Sequence, residues 1–403
     1  MSSSSDTTTP PILQIAIVGC GQIITHHCAA LSNIDCIEIY ALCDPSAERR
    51  RIIREIILDN NNNNNNNNNP IPLEFSTLDD LLKDTNASKA CTVVFISVPH
   101  DLHVPIAKLA LQAGKDVIME KPLARTMEEC RSIYETSTQS KGLLLISEQS
   151  PYWQEIAKAK ELVACGEIGT LVSASSYYYE SMRDNVTSGV EEDGGLGWRC
   201  SVERCGGGIV IDGGLHWIRP LREICGGDVE SVIGAVRKNV EVGLKLEGET
   251  LAHALLKIKT KKNSNNHPYL KQPPDSGPLI ATFSANMMHT APMAHDICPY
   301  FRFTGTKGEL VVYGTGLNPN GGGGLKLYNT QHPTGLDFFP SDRQGGFFLG
   351  FQGVWEAMVD IVKRRDVEAA KNTVREAAKD VAVALALYKS SDSCVWEICE
   401  VLS

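Results

Sequence analysis

Asp212 and His216 stand four residues apart behind the run Gly206-Gly207-Gly208. On a helix that spacing puts both side chains on one face. A histidine there titrates near neutrality and takes or gives the proton of an alcohol or carbonyl. Lys121 lies between Glu120 and Pro122, directly after an apolar run. Its ammonium is suited to hydrogen-bond a substrate hydroxyl and to stabilise charge developing on that oxygen. A lone buried histidine is more often structural and most lysines are solvated. The adjoining carboxylate and the glycine run favour the chemical reading.

A second set of residues has the spacing that cradles a dinucleotide. Gly19-Cys20-Gly21 follows the apolar run Ile15–Val18 and precedes a helical pattern. Gly19 permits a tight turn and Gly21 lets backbone approach a pyrophosphate, with Gln22 and Ile23 leading into the helix N-terminus. Asp44 ends the next β-type run, where a carboxylate accepts from ribose hydroxyls and repels a 2′-phosphate, so NAD is favoured over NADP. Arg49, Arg50 and Arg51 leave NADP open: they either receive such a phosphate or form a helix face paired with acids. Ser97, Pro99, His100 and His103 cluster after a further apolar run and are candidate cofactor contacts, or His103 is simply the polar start of a helix. The two histidines lack a companion Cys or His pair at ligand spacing, and no metal site is expected.

These residues must be positioned by alternating elements. Short apolar runs at Gln14–Val18, Ile37–Cys43, Leu73–Phe75, Thr92–Ser97, Asp116–Met119 and Leu143–Ser147 predict strands covered on both faces. Helical patterns near Ile24–Ser32, Ser46–Leu58, Thr77–Lys83, Val104–Ala113 and Met127–Ser137 separate them. That rhythm predicts a doubly wound parallel α/β domain over residues 12–148, preceded by a flexible stretch, 1–11. The run Asn60–Asn69 has no apolar face to bury and reads as a solvated surface insert.

From residue 149 to 403 the rhythm changes. Helices are expected at Tyr152–Ala164 and Gly208–Cys225. Strands follow at Leu171–Tyr179, Val229–Val236, Leu251–Thr260, Leu279–Met288, Tyr300–Thr304, Glu309–Tyr313 and Leu325–Tyr328. Successive strands without intervening helices predict a largely antiparallel sheet, with Lys261–Pro278 as a hairpin loop and closing helices near Gly350–Lys363 and Lys371–Lys389.

Composition narrows the function classes. The 403 residues are 42% hydrophobic and 21% charged, as in a globular protein with a sizeable core, and the net charge is −10. Nucleic acid and anionic membranes select the opposite sign, so neither is an expected partner. No basic-then-apolar leader opens the chain and no apolar run is long enough to cross a bilayer. Thirteen scattered cysteines read as small buried residues of a reduced compartment, and a cytoplasmic location is expected.

The ordered series Gly19-Cys20-Gly21, Ala110-Leu111-Gln112-Ala113-Gly114, Glu120-Lys121-Pro122, Trp198-Arg199, Gly207-Gly208 with Asp212 and His216, and Gly305-Thr306-Lys307-Gly308 resembles the Gfo/Idh/MocA oxidoreductases. The stretch from Ala159 to Gly169 matches as well. The resemblance implies a Rossmann domain followed by an α/β domain with a large open, mainly antiparallel sheet, and an active site between them. It implies Lys121 as the active-site lysine, Asp212 as a substrate-orienting carboxylate and His216 as the general acid/base. Gln149 and the pair Trp198-Arg199 would reach the cofactor. The implied reaction moves hydride between NAD(P) and a secondary alcohol or ketone of a sugar, cyclitol or related diol, in a dimer or tetramer. The competing expectation is a nucleotide-bound sensor or scaffold that lost the reaction. Three residues depart from the pattern: Ile24 replaces a third glycine, Pro151 an arginine and Arg219 an aspartate. Arg219 either brings a guanidinium to the pocket or forms an external salt bridge.

Overall fold

The computed structural model describes residues 12–63, 70–179, 196–238, 246–260, 268–270, 276–287, 299–313, 324–339, 346–367 and 370–402. The first sheet contains β1 (Leu13–Val18), β2 (Ile37–Cys43), β3 (Leu73–Phe75), β4 (Val93–Ile96), β5 (Asp116–Glu120) and β6 (Leu144–Ser147), in the spatial order 3-2-1-4-5-6. Every pairing is parallel. Strands such as Val93–Ile96 and Leu144–Ser147 are buried at every position, which is why their sequences do not alternate.

Helices α1 (Ile24–Leu31), α2 (Ala47–Asn63), α3 (Leu78–Lys83), α4 (Thr85–Ala90), α5 (His100–Gln112) and α6 (Met127–Gln139) connect these strands. The α6 N-terminus is legible in sequence: Thr126 accepts from the Glu129 backbone N–H, an oxygen acceptor three residues before the donor. Two helices depart from expectation. The fourth, Thr85–Ala90, was not foreseen, and α5 starts at His100 rather than Val104. Helix α2 continues into the asparagine run as far as Asn63, while the rest of that run, like residues 1–11, lies outside the described residues.

The second sheet has nine strands: β7 (Leu171–Tyr179), β8 (Gly227–Lys238), β9 (Glu249–Thr260), β10 (Leu279–Asn286), β11 (Pro299–Gly305), β12 (Gly308–Tyr313), β13 (Gly324–Asn329), β14 (Leu336–Asp337) and β15 (Glu397–Ile398). Their order is 14-13-12-11-7-10-9-8-15, and all pairs are antiparallel except β7 with β10. The fold class is thus a Rossmann unit joined to an α/β unit with a large open sheet. Of the expected loop 261–278, residues 268–270 form a described short turn.

Helix α7 (Gln154–Cys165), the short α8 (Val202–Cys205), α9 (Leu215–Cys225), α10 (Gly346–Arg364) and α11 (Val374–Ser393) complete the described elements. One face of the second sheet is covered by α9, where Trp217 stacks on Tyr178 with ring centroids 4.1 Å apart. Helix α10 turns back to the first sheet. Its Phe351, Val354, Trp355 and Met358 bury against Ile15, Ile17, Ile24 and Cys28 of β1 and α1, forming a core of their own. No described helix is long and apolar enough to cross a membrane. The twelve described cysteines are all free thiols.

Candidate active site

Parallel register brings the ends of the first sheet into one row. Val18 pairs with Cys43 and Ile96, Ile96 with Met119, and Glu120 with Ser147. The residues that follow, Gly19, Asp44, Ser97, Lys121 and Glu148, therefore share the carboxyl edge, where open α/β sheets bind ligands.

At one end of this row, Gly19 has φ +92°, and a Cβ there would lie 2.2 Å from the Ser97 carbonyl oxygen, so only glycine fits. Gly21 is the opposite case: no heavy atom lies within 4 Å of the Cβ it lacks, which leaves the backbone open to a ligand. Gln22 is exposed and Ile23 half-buried beside it. The Asp44 carboxylate accepts from the backbone N–H groups of Cys20 and Ser46, each at 2.8 Å, and so braces the turn. These features fit a dinucleotide: an open glycine, a helix N-terminus and a fixed carboxylate at the end of β2. Arg50 bonds Glu74 and the Asp44 carbonyl, and Arg51 bonds Glu48 and Glu55. Both arginines belong to the acid-paired helix face.

At the other end, Lys121 Nζ donates to the Asp212 carbonyl oxygen at 2.6 Å and lies 3.3 Å from its Oδ1. Arg199 Nε donates to Asp212 Oδ2 at 2.8 Å, and its guanidinium lies over the Trp198 ring. Burial pushes the Asp212 carboxyl up, but Arg199 and Lys121 overcome it and hold the group far below the usual carboxylate range. His100 packs against Trp198 and places Nδ1 2.8 Å from the Cys205 carbonyl. That carbonyl only accepts, so Nδ1 carries the proton; burial keeps the ring neutral.

His216 does not bond Asp212. Its Nδ1 donates to Glu148 Oε1 at 2.8 Å, which leaves Nε2 as the proton acceptor. Glu148 is 2% exposed, and Ser150 N–H also donates to it. Burial raises its carboxyl, but the hydrogen bonds from His216 and Ser150 and the nearby Arg219 hold it at about 2. Asn372 fixes the loop by donating to the carbonyls of Ile146 and Glu148. Asp212 itself lies in a five-residue π-type turn, Val210–Gly214, a wide helix form found often at functional sites. Glu249 accepts from Gly208 and Val210 N–H and from the Tyr388 hydroxyl at the start of that stretch.

Three sequence expectations change. His103 is fully buried with its ring nitrogens 2.8 Å from the Pro122 carbonyl and 3.0 Å from that of Val98. Because α5 begins early, the ring turns inward to tie two loops and has no atom left for a cofactor; Pro99 becomes the residue capping that helix. Gln149 is 2% exposed, and its side-chain oxygen accepts from the Trp153 indole N–H. Arg219 neither lines the pocket nor forms an external bridge: it is 1% exposed and bonds Asp380 at 2.7 Å. Glu148 was missed, although it follows a strand end just as Lys121 does. Among the described residues no group of His, Cys, Asp or Glu side chains could hold a metal ion. A cavity of about 610 Å³ between α6 and the start of α11 contains none of the residues above and is not this site.

Residues 13–148 match the oxidoreductase family with an NAD-binding Rossmann fold, and residues 156–311 match the C-terminal domain of the same family. An uncharacterized oxidoreductase of Schizosaccharomyces pombe is 35% identical over 150 residues, 37% of each chain. A 1-carboxy-3-chloro-3,4-dihydroxycyclohexa-1,5-diene dehydrogenase of Comamonas testosteroni is 30% identical over 145 residues, 35% of this chain and 34% of its own. The chain thus spans little more than a third of the length of these relatives. The aldose–aldose oxidoreductase of Caulobacter crescentus superimposes with a TM-score of 0.71 at 17% identity, covering 96% of this chain and 99% of its own. The WlbA dehydrogenase of Bordetella pertussis, solved with NADH and UDP-GlcNAcA, does so with 0.72 at 18%, covering 98% and 99%. Two matched domains in family order, on a fold with a carboxyl-edge site, make this chain a member of the Gfo/Idh/MocA oxidoreductase family.

Proposed function

We propose that this protein oxidises or reduces a secondary alcohol or ketone of a sugar, cyclitol or related diol, using NAD in preference to NADP. The observation carrying this reading is that Asp212 holds Lys121 at the end of β5, while Glu148 at the end of β6 orients His216, which stands on α9 four residues past Asp212. When bound, the nicotinamide supplies the hydride acceptor or donor. In the oxidation direction His216 Nε2 takes the hydroxyl proton while the carbon gives up its hydride, and the C–O bond becomes a carbonyl. Lys121, held by Asp212, donates to that oxygen and steadies the charge passing through it. Glu148 balances the imidazolium left behind. Asp44, with Arg50 and Arg51 committed to acids, supports NAD. The activity is assigned to the cytosol, with two or four copies meeting through the open sheet face on which Leu255 and Ile280 are exposed.

The test is reduction of NAD and oxidation of NADH with a panel of polyols and keto sugars. Lys121→Met and His216→Ala should each lower kcat by roughly 10²–10⁴-fold while cofactor affinity stays within a few-fold. Cofactor binding without turnover across the panel would favour the sensor or scaffold instead.

A further inference from the structure

Behind the row of strand ends lies a buried chain of three side chains that the reaction above does not use. Trp355 of α10 donates its indole N–H to His27 Nδ1 at 2.9 Å, and His27 Nε2 lies 2.9 Å from Glu120 Oε1. Trp355 and His27 are both 0% exposed. Phe95 and Phe351 flank the imidazole at 4.5 and 4.9 Å between ring centroids.

The direction of every proton follows from the donors. An indole nitrogen only donates, so His27 Nδ1 is a lone pair and the ring holds its one proton on Nε2. That proton goes to Glu120. His27 is therefore neutral, and the charge on Glu120 meets no counter-charge from behind.

Glu120 is 8% exposed and ends β5, immediately before Lys121. His27 is the described hydrogen-bond partner of its carboxylate, and 11% of the side chain stays exposed at this strand end. Lys121 lies close enough for its charge to act on it. At this end of the row Lys121 and Arg199 both pair with Asp212, while Glu148 pairs with His216. Both cations bond Asp212, and among the described residues neither forms an ion pair with Glu120.

With Asp44 at one end of the row, the nicotinamide of a bound dinucleotide would lie towards the other end, where Lys121 stands. The oxidised nicotinamide ring is cationic and the reduced ring is neutral. We infer that Glu120, which the neutral Trp355–His27 pair leaves without an ion-paired cation, is a fixed charge that makes this crevice prefer the oxidised cofactor to the reduced one. The inference rests on the cofactor reading above and adds residues 27 and 355 as positioning residues.

Dissociation constants for NAD⁺ and NADH, measured by fluorescence titration of the full chain, test it without any substrate. Glu120→Gln keeps the size and the acceptor for His27 but removes the charge. It should weaken NAD⁺ about tenfold and leave NADH within about twofold. Glu120→Asp, which keeps the charge, should hold the parent preference. Trp355→Phe frees His27 Nδ1 to take a second proton against Glu120, so it should move the ratio in the same direction by a smaller factor. Equal weakening of both forms in Glu120→Gln, or an unchanged ratio, overturns the inference while leaving the cofactor reading intact. A parent protein that binds neither form overturns both. Should Trp355→Phe fail to fold, the two Glu120 variants still decide the question.

Discussion

Asp212 and His216 begin the helical stretch that Arg219 and Arg222 finish, and the two pairs meet their surroundings differently. At the front, contacts are few and some are long: Lys121 is 3.3 Å from Asp212 Oδ1 and His100 Nε2 is 3.6 Å from it, with the Asp212 side chain 19% exposed. At the back, Arg219 and Arg222 share the two oxygens of Asp380, and Arg222 also bonds Asp228 and Glu376. Both guanidiniums are almost sealed from solvent. The same residue types are thus partly open to solvent at the candidate site and sealed where one helix is fixed to another. Exposure, more than charge itself, separates the candidate site from the structural end.

Breaking the back end gives the largest effect on stability. Arg219→Leu leaves Asp380 buried with one partner fewer and should cost about 3–5 kcal/mol. Urea unfolding should show a lower midpoint at unchanged slope. Activity per folded molecule should stay within several-fold of the parent. A normal midpoint with activity lost would erase the distinction between the two ends.

A change at the front should reverse that pattern. Glu148→Gln still accepts from His216 Nδ1 but no longer balances an imidazolium, so kcat should fall roughly 10–100-fold with KM nearly constant. An equal rise in KM would mean that Glu148 shapes the substrate pocket rather than the proton acceptor.

The smallest effect is expected from acid. Burial raises the Glu376 carboxyl, but Arg222 and Lys379 hold it at about 2 against an ordinary 4.5. Because the folded value is depressed, the contribution is complete above pH 4.5 and disappears as pH falls towards 2. Glu376→Gln should remove roughly 1–2 kcal/mol at neutral pH and flatten that part of the stability profile. A parent and variant with parallel acid profiles would place the acid sensitivity elsewhere.

Much of this was legible before the structure, for identifiable reasons. Strand runs such as Ile37–Cys43 and Leu171–Tyr179 coincide with the observed elements because apolar content and length constrain them strongly. Gly19, Asp44 and Lys121 were legible because each follows a strand, and parallel register carries all such positions to one edge. Arg219 was not, since its partner Asp380 lies 161 residues away and sequence spacing says nothing of such pairs. His27 was passed over for the same reason: its donor, Trp355, is 328 residues distant. His103 misled because the start of a helix moved by one turn, which rotates a side chain from the crevice into the interior.

The return of α10 to the first sheet has a consequence for how the protein is made. Its Phe351, Val354, Trp355 and Met358 are the lid of the core above β1 and α1. During synthesis they leave the ribosome roughly 200 residues after β6, or roughly 10–40 s later at ordinary rates. Through that interval Ile15, Ile17 and the imidazole of His27 lack their cover, and the nascent cofactor unit presents an apolar face. The nucleotide domain is thus begun first and finished nearly last, which makes it a natural client for chaperones while the chain grows. It also ties the charge state behind Glu120 to the arrival of the late-made helix.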